Sequence, residues 1–69
     1  MTKKKIGKYT VEWFESIGRY TVVIEDDGEI LFRFNSPAKY EVVDTYNDID
    51  SKFAIERYIK SLNFGGVFG

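Results

Sequence analysis

The side chains whose spacing comes nearest to a metal site are three aspartates, Asp44, Asp48 and Asp50. A calcium loop alternates oxygen ligands around a central glycine and ends on a glutamate. Here no glycine stands among the aspartates, and Lys52 and Phe53 occupy the continuation. We therefore assign the three carboxylates to turn formation and helix capping, and we expect no metal site and no cofactor.

The residue types that most catalytic sites need are missing. The chain has no cysteine and no histidine, which excludes a disulfide, a Cys/His zinc site and a nucleophile activated by histidine. There is no phosphate-binding glycine loop and no pair of catalytic carboxylates, and Asp26-Asp27-Gly28 is typical of a turn. The sequence predicts that the protein is not an enzyme, so its function is sought in binding.

Charge is unevenly distributed along the chain, whose net charge is −1. Four lysines stand near the N-terminus, namely Lys3, Lys4, Lys5 and Lys8, whereas the other residues carry six basic and eleven acidic side chains. We predict that residues 1–7 form a flexible basic arm, either solvated or bound to a phosphate backbone or an acidic partner. The acidic body argues against DNA running across the whole domain. No signal peptide or membrane span is recognised, and the lack of cysteine favours a cytoplasmic protein.

Alternation of apolar and polar residues predicts four antiparallel strands, at residues 8–14, 19–25, 29–34 and 39–44. In this arrangement four aromatic side chains form one cross-strand row: Trp13, Tyr20, Phe34 and Tyr40. A two-residue turn at Asp27-Gly28 would place the apolar sets of its two strands on opposite faces, so we predict a three-residue loop at residues 26–28. A four-residue loop is predicted at residues 15–18.

A helical stripe predicts one helix from about Ser51 to Asn63, with Asp48 or Asp50 as its N-cap. Gly65 and Gly66 are predicted to end it. The predicted fold is α+β, a four-stranded antiparallel β-meander with one C-terminal helix packed on one face (β-β-β-β-α). We expect a single domain over residues 8–64 and a glycine-rich tail over residues 65–69.

Apolar side chains that this fold leaves at the surface are the candidate contacts with a partner. Phe53 breaks the helical stripe beside Arg57, and a second row lies on the outer side of the sheet. The tail, which contains Phe68, either packs on its own sheet or serves as a short docking peptide. The candidate partner-binding residues are Phe53, Arg57, Phe14, Val23, Leu31, Val43, Trp13, Tyr40 and Phe68.

Three functions remain open from the sequence. The first is a small protein-binding module, an inhibitor or adaptor that masks a partner surface, of a composition that would suit an accessory protein of a phage or mobile element. The second is a nucleic-acid-binding module that uses the sheet aromatics and the basic arm (Lys3, Lys4, Lys5 and Lys8). The third is sequestration of a small aromatic ligand in an oligomer. For the first, the partner is another protein or, as a homodimer, a second copy of the chain.

Overall fold

The computed structural model describes the backbone of residues 2–68 and the side chains of residues 2–61. Four strands form one antiparallel sheet in the order β1-β2-β3-β4, and two helices follow them. The α+β class and the four-stranded antiparallel meander are as predicted, although the chain has a second helix. The elements are β1 (Thr2–Ile6), β2 (Tyr9–Ser16), β3 (Arg19–Asp26), β4 (Glu29–Ser36), α1 (Lys39–Asp48) and α2 (Lys52–Phe68).

The N-terminal residues form an edge strand of the sheet, which corrects the prediction of a flexible arm. Strand β1 pairs with β2 through a two-residue turn at Gly7-Lys8, and Lys4 lies opposite Val11. Three consecutive lysines have low strand propensity, so no local signal announced the strand. Pairing with β2 satisfies backbone groups that β2 would otherwise expose, and Ile6 packs against the core.

The turn between β2 and β3 has two residues, Ile17 and Gly18, instead of the predicted four. Both residues have positive φ (49° and 74°), as in a type I′ turn, whose twist matches that of the flanking strands. Trp13 consequently lies opposite Val22 and not opposite Tyr20. Since the register moved by two residues, each side chain kept its predicted face.

The turn between β3 and β4 also has two residues, Asp27 and Gly28, so the predicted three-residue loop is wrong. A bulge corrects the mismatch of faces that had excluded this turn. Glu25 pairs with Ile30 and Ile24 pairs with Phe32, which leaves Leu31 as the extra residue. The bulge turns Ile30 to the outer side of the sheet and keeps Phe32 on the core side.

The segment predicted as the fourth strand is helix α1. Its buried side chains are Val42 and Tyr46, and Ile49 directly after the helix is also fully buried. These positions are four and three residues apart, which is the spacing of one helix face. The Tyr40/Val42 alternation was too short to separate a strand from a helix.

Serine side chains make hydrogen bonds in the segments that lead into the two helices. Ser36 is 3% exposed, and its Oγ accepts a hydrogen bond from the Ala38 N–H at 3.0 Å and donates one to the Glu41 carboxylate. Ser51, and neither Asp48 nor Asp50, caps α2, since its Oγ accepts a bond from the Ala54 N–H at 3.2 Å. The backbone of α2 runs to Phe68, past the two glycines that were predicted to end it.

The core lies between one face of the sheet and the two helices. Fully buried side chains from β2 and β3 (Val11, Val22 and Ile24) share a cluster with Val42 of α1, with Ile49 between the helices and with Ile55 of α2. We call the side of the sheet that packs against the helices the inner face. The opposite side, which we call the outer face, carries the alternate residues of each strand.

Candidate functional site: the outer face of the sheet

The outer face is the side of the sheet that the helices leave open. Its side chains line a shallow depression of about 470 Å³ that runs over β2, β3 and β4. Its lining residues are Glu12, Phe14, Ser16, Arg19, Thr21, Val23, Glu25, Ile30, Arg33 and Asn35.

Apolar side chains occupy the middle and one corner of this face. Val23 is only 4% exposed although it lies outside the core cluster, because its neighbours across the strands, Glu12 and Arg33, are long. Phe14 is half-buried in the adjacent row, opposite Thr21, and Ile30 is 52% exposed at the bulge. The sequence placed Phe14 and Val23 on this side correctly. It missed Ile30, since the bulge that turns Ile30 outward was not anticipated.

Polar groups surround these apolar residues. Thr21 Oγ1 donates a hydrogen bond to Asn35 Oδ1 at 2.8 Å across β3 and β4, which fixes two polar side chains at one end of the face. Lys3 and Lys5 of β1 extend it, opposite Glu12 and Thr10. The face as a whole carries four basic side chains (Lys3, Lys5, Arg19, Arg33) and two acidic ones (Glu12, Glu25). Its net charge is therefore +2, whereas the whole chain carries −1.

The predicted aromatic row is only partly assembled. Trp13, Tyr20 and Phe34 lie on the inner face, half-buried and packed against the core. The rings of Trp13 and Tyr20 are 6.5 Å apart as diagonal neighbours, and Lys39 Nζ lies 5.7 Å from the Trp13 ring centroid. Tyr40 belongs to α1 and is 68% exposed, so it is not part of the row. The row is mostly core, closed by the first turn of α1.

Two other candidate contact residues are not on the outer face. Leu31 is the bulge residue and packs against the core cluster. Val43 is half-buried within α1. Both assignments to the outer face were wrong. The assignment of Val43 depended on a strand at residues 39–44, and that of Leu31 depended on a three-residue loop at residues 26–28.

A second, smaller surface lies on α2. Phe53 is 73% exposed, and it lines a recess of about 160 Å³ with Glu56, Arg57 and Lys60. Arg57 Nη2 lies 3.7 Å from Asp48 Oδ2, an exposed pair that contributes little to stability. The sequence had left two alternatives for Phe53, an exposed contact beside Arg57 or packing under residues 44–50, and the structure shows the exposed one. Phe68, the remaining candidate, lies outside the residues whose side chains are described.

The four N-terminal lysines do not act as one basic arm. Lys4 points to the inner face, where its Nζ donates a hydrogen bond to the Tyr46 carbonyl oxygen at 2.8 Å and lies 4.2 Å from the Tyr46 ring centroid. Burial lowers the pKa of Lys4, and the nearby carboxylate of Asp50 partly offsets this. Lys8 Nζ lies 3.5 Å from Asp26 Oδ2. Lys3 and Lys5 therefore lie on the outer face, and Lys8 lines a neighbouring depression with them.

Two tyrosines outside the outer face have raised pKa values. Tyr58 Oη donates a hydrogen bond to Asp48 Oδ2 at 2.7 Å, and burial together with this bond raises the pKa of Tyr58. Burial also raises the pKa of Tyr46. Across the described residues, no three aspartates or glutamates cluster as metal ligands would. No helix in this part of the chain is long and apolar enough to cross a membrane.

No protein-family model, curated protein or solved structure matches this chain. The function is therefore inferred from the geometry of the chain itself.

Proposed function

We propose that this chain is a small non-catalytic protein-binding module that docks its partner on the outer face of the sheet and acts as an inhibitor or adaptor by masking the partner's surface. The observation that supports it is the placement of both helices on the inner face, with Phe14 half-buried and Ile30 exposed on the face left open. An uncovered antiparallel face is ordinarily polar along its whole length.

The composition of the face favours a protein partner. Protein interfaces combine an apolar centre with a polar rim that remains accessible to solvent. Here the rim has both signs of charge, from Arg19 and Arg33 and from Glu12 and Glu25. Such a rim selects its partner by complementary charges, while the apolar centre supplies the affinity.

A second candidate function, nucleic-acid binding, is favoured by one observation. Lys3 and Lys5 lie on the same face as Arg19 and Arg33, which brings four cations onto one surface. Against it, Glu12 stands directly beside Lys3 in the sheet, and repulsion between its carboxylate and phosphate opposes a bound backbone. In addition, the aromatic rings of the inner face are packed against the core and do not offer a stacking platform.

The protein proposal is tested by affinity capture with matched surface variants. Ile30→Lys places a charge on the outer face, and Phe53→Lys places the same charge on an apolar position of α2 that is also exposed. We expect Ile30→Lys to weaken capture of the partner by about tenfold or more, and Phe53→Lys to leave it unchanged. Circular dichroism confirms that both variants fold. The opposite result, in which only Phe53→Lys loses the partner, would move the site to α2.

The nucleic-acid alternative is tested with a duplex and a single-stranded oligonucleotide at two salt concentrations. Binding that weakens with salt and is lost in a Lys3→Ala/Lys5→Ala variant would favour it. The matched control is Lys39→Ala/Lys52→Ala, which removes two exposed lysines from the helices. We expect neither oligonucleotide to bind at physiological salt.

A further inference from the structure

The turn between β2 and β3 contains the most exposed large apolar side chain among the described residues. Ile17 is 98% exposed, and its neighbours Glu15, Ser16, Gly18 and Arg19 are all exposed. No side chain among residues 2–61 covers it. An isolated surface isoleucine is common in proteins, so exposure alone would mean little.

The backbone at Ile17 makes this exposure notable. Its φ is +49°, in the left-handed region, where β-branched residues are rare because the Cβ approaches the backbone carbonyl. Type I′ turns strongly prefer Asn, Asp or Gly at this position. Ile17 thus combines strain in the folded state with the hydration of a large apolar group.

The other turns of the same sheet provide an internal comparison. Gly7 (φ 58°) and Asp27 (φ 54°) hold the equivalent first position of the two other two-residue turns. Both are residue types that favour this conformation, and both turns expose only small or polar groups. Nothing in the fold requires isoleucine at the middle turn, since Asp27-Gly28, with positive φ at both positions (54° and 86°), builds the same type I′ geometry without it. Strained residues of this kind are concentrated at binding sites.

We propose that the β2–β3 turn is a protruding anchor, and that the Ile17 side chain enters an apolar pocket on the partner protein. The inference rests on the proposed function, because the turn adjoins the end of the outer face formed by Phe14, Ser16 and Arg19. Docking would bury Ile17 together with that face. The pocket accepts one branched aliphatic side chain, and its rim meets one acidic and one basic group, Glu15 and Arg19.

A lipid surface is a poorer fit for this turn. Stable binding to a bilayer needs several apolar side chains or a cluster of cations. Here a single isoleucine is flanked by Glu15, whose charge opposes an anionic membrane. The turn therefore fits a protein pocket, and vesicle binding serves as a contrary outcome of the test.

The test separates strain from apolar contact with three substitutions at one position. Ile17→Val keeps the branched apolar shape, Ile17→Thr keeps the branch and loses the apolarity, and Ile17→Asn relieves the strain and loses the apolarity. Asp27→Asn is the control in the equivalent turn. Each variant is measured by thermal unfolding and by titration against the protein that the wild-type chain captures.

We expect Ile17→Asn to raise Tm by about 4–8 °C, and Ile17→Val, Ile17→Thr and Asp27→Asn to leave it nearly unchanged. We expect Kd to rise by about tenfold or more for Ile17→Asn and Ile17→Thr, and to stay within about twofold for Ile17→Val and Asp27→Asn. Stability that rises while affinity falls is the signature of an anchor under strain.

Each contrary outcome is distinguishable. Wild-type affinity in Ile17→Thr, with affinity lost in Ile30→Lys, would overturn the anchor and leave the proposed function standing. Wild-type affinity in Ile30→Lys would overturn the docking face itself. A lower Tm for Ile17→Asn would refute the strain argument. If the wild type binds vesicles of phosphatidylcholine and phosphatidylserine and Ile17→Asn does not, the turn binds a membrane and not a protein pocket. Capture of no protein at all would overturn both proposals.

Discussion

Substitution of the three consecutive lysines, one at a time, tests whether β1 belongs to the fold. Lys3, Lys4 and Lys5 have the same chemistry and adjacent positions, yet only Lys4 faces the core side of the sheet. Methionine at each position keeps the length of the side chain and removes the charge. In a flexible arm all three substitutions would have the same small effect. In the sheet they differ.

The size of the difference follows from the contacts of Lys4. Its ammonium donates to the Tyr46 carbonyl at 2.8 Å, near the C-terminal end of α1, where a positive charge is favourable. Loss of a hydrogen bond to a charged group costs about 1.5–3 kcal/mol, and the contact with the Tyr46 ring adds about 0.5–1 kcal/mol. The lowered pKa of Lys4 shows that its burial is opposed by desolvation, which methionine does not suffer. We therefore expect Lys4→Met to lower the free energy of unfolding by about 1–2 kcal/mol.

The assay is urea and thermal unfolding at pH 7, followed by the fluorescence of the single tryptophan, Trp13, which packs against the core. Lys4→Met should lower Tm by about 5–10 °C with an unchanged m-value, whereas Lys3→Met and Lys5→Met should shift the free energy of unfolding by less than about 0.5 kcal/mol. Equal effects at the three positions would refute the placement of β1. A stabilised Lys4→Met would show that desolvation outweighs the hydrogen bond.

Three further predictions concern the helices. Ser36→Ala should destabilise the protein by about 1–2 kcal/mol in urea unfolding, because it removes the bond to Glu41 and leaves the Ala38 N–H without its acceptor; an effect under about 0.3 kcal/mol would contradict this role. Ile49→Ala should cost about 2–5 kcal/mol because Ile49 is fully buried, and a cost below about 1 kcal/mol would argue against its position in the core. Since the pKa of Tyr58 is raised in the folded state, its contribution to stability is complete below about pH 10 and is lost as the pH rises through the folded-state pKa. The free energy of unfolding, measured at several alkaline pH values, should therefore fall less steeply with pH for Tyr58→Phe than for the wild type. An equal dependence on pH in the two proteins would contradict the raised pKa.

The fold class was predictable because side-chain alternation in β2, β3 and β4 is strong and has a period of two. Errors of an even number of residues leave every side chain on its face, so the wrong loop at residues 15–18 did no harm to the predicted core. The bulge at Leu31 was different. The two-residue turn moved Ile30 to the outer face, and the extra residue Leu31 returned Phe32 to its predicted core side; no local signal marks the position of such a residue.

The helix α1 and the strand β1 were missed for a different reason. Both are stabilised mainly by contacts that are distant in sequence. The buried stripe of α1 combines Val42 and Tyr46 with Ile49 beyond its end, and β1 is held by pairing with β2 and by Lys4. Neither the buried stripe of α1 nor the short sequence of β1 is long enough to outweigh the local propensities.

Part of the candidate site could also be predicted. Phe14 and Val23 were placed on the outer side, and an exposed Phe53 was one of two alternatives. Ile30 and Ile17 were not found, because the first depends on the bulge and the second on the positive φ of a tight turn. A tight type I′ turn normally announces itself by Asn-Gly or Asp-Gly, and Ile17-Gly18 lacks the first half of that signal.

The absence of cysteine from the chain permits the most direct test of the docking face. Single cysteines are introduced at Thr21 on the outer face and at Tyr40 and Phe53 on the helices, and their reaction rates with a thiol reagent are measured with and without the captured partner. We predict that the partner slows labelling at position 21 by about tenfold or more and leaves positions 40 and 53 unchanged. Protection at position 53 with free labelling at position 21 would contradict docking on the outer face.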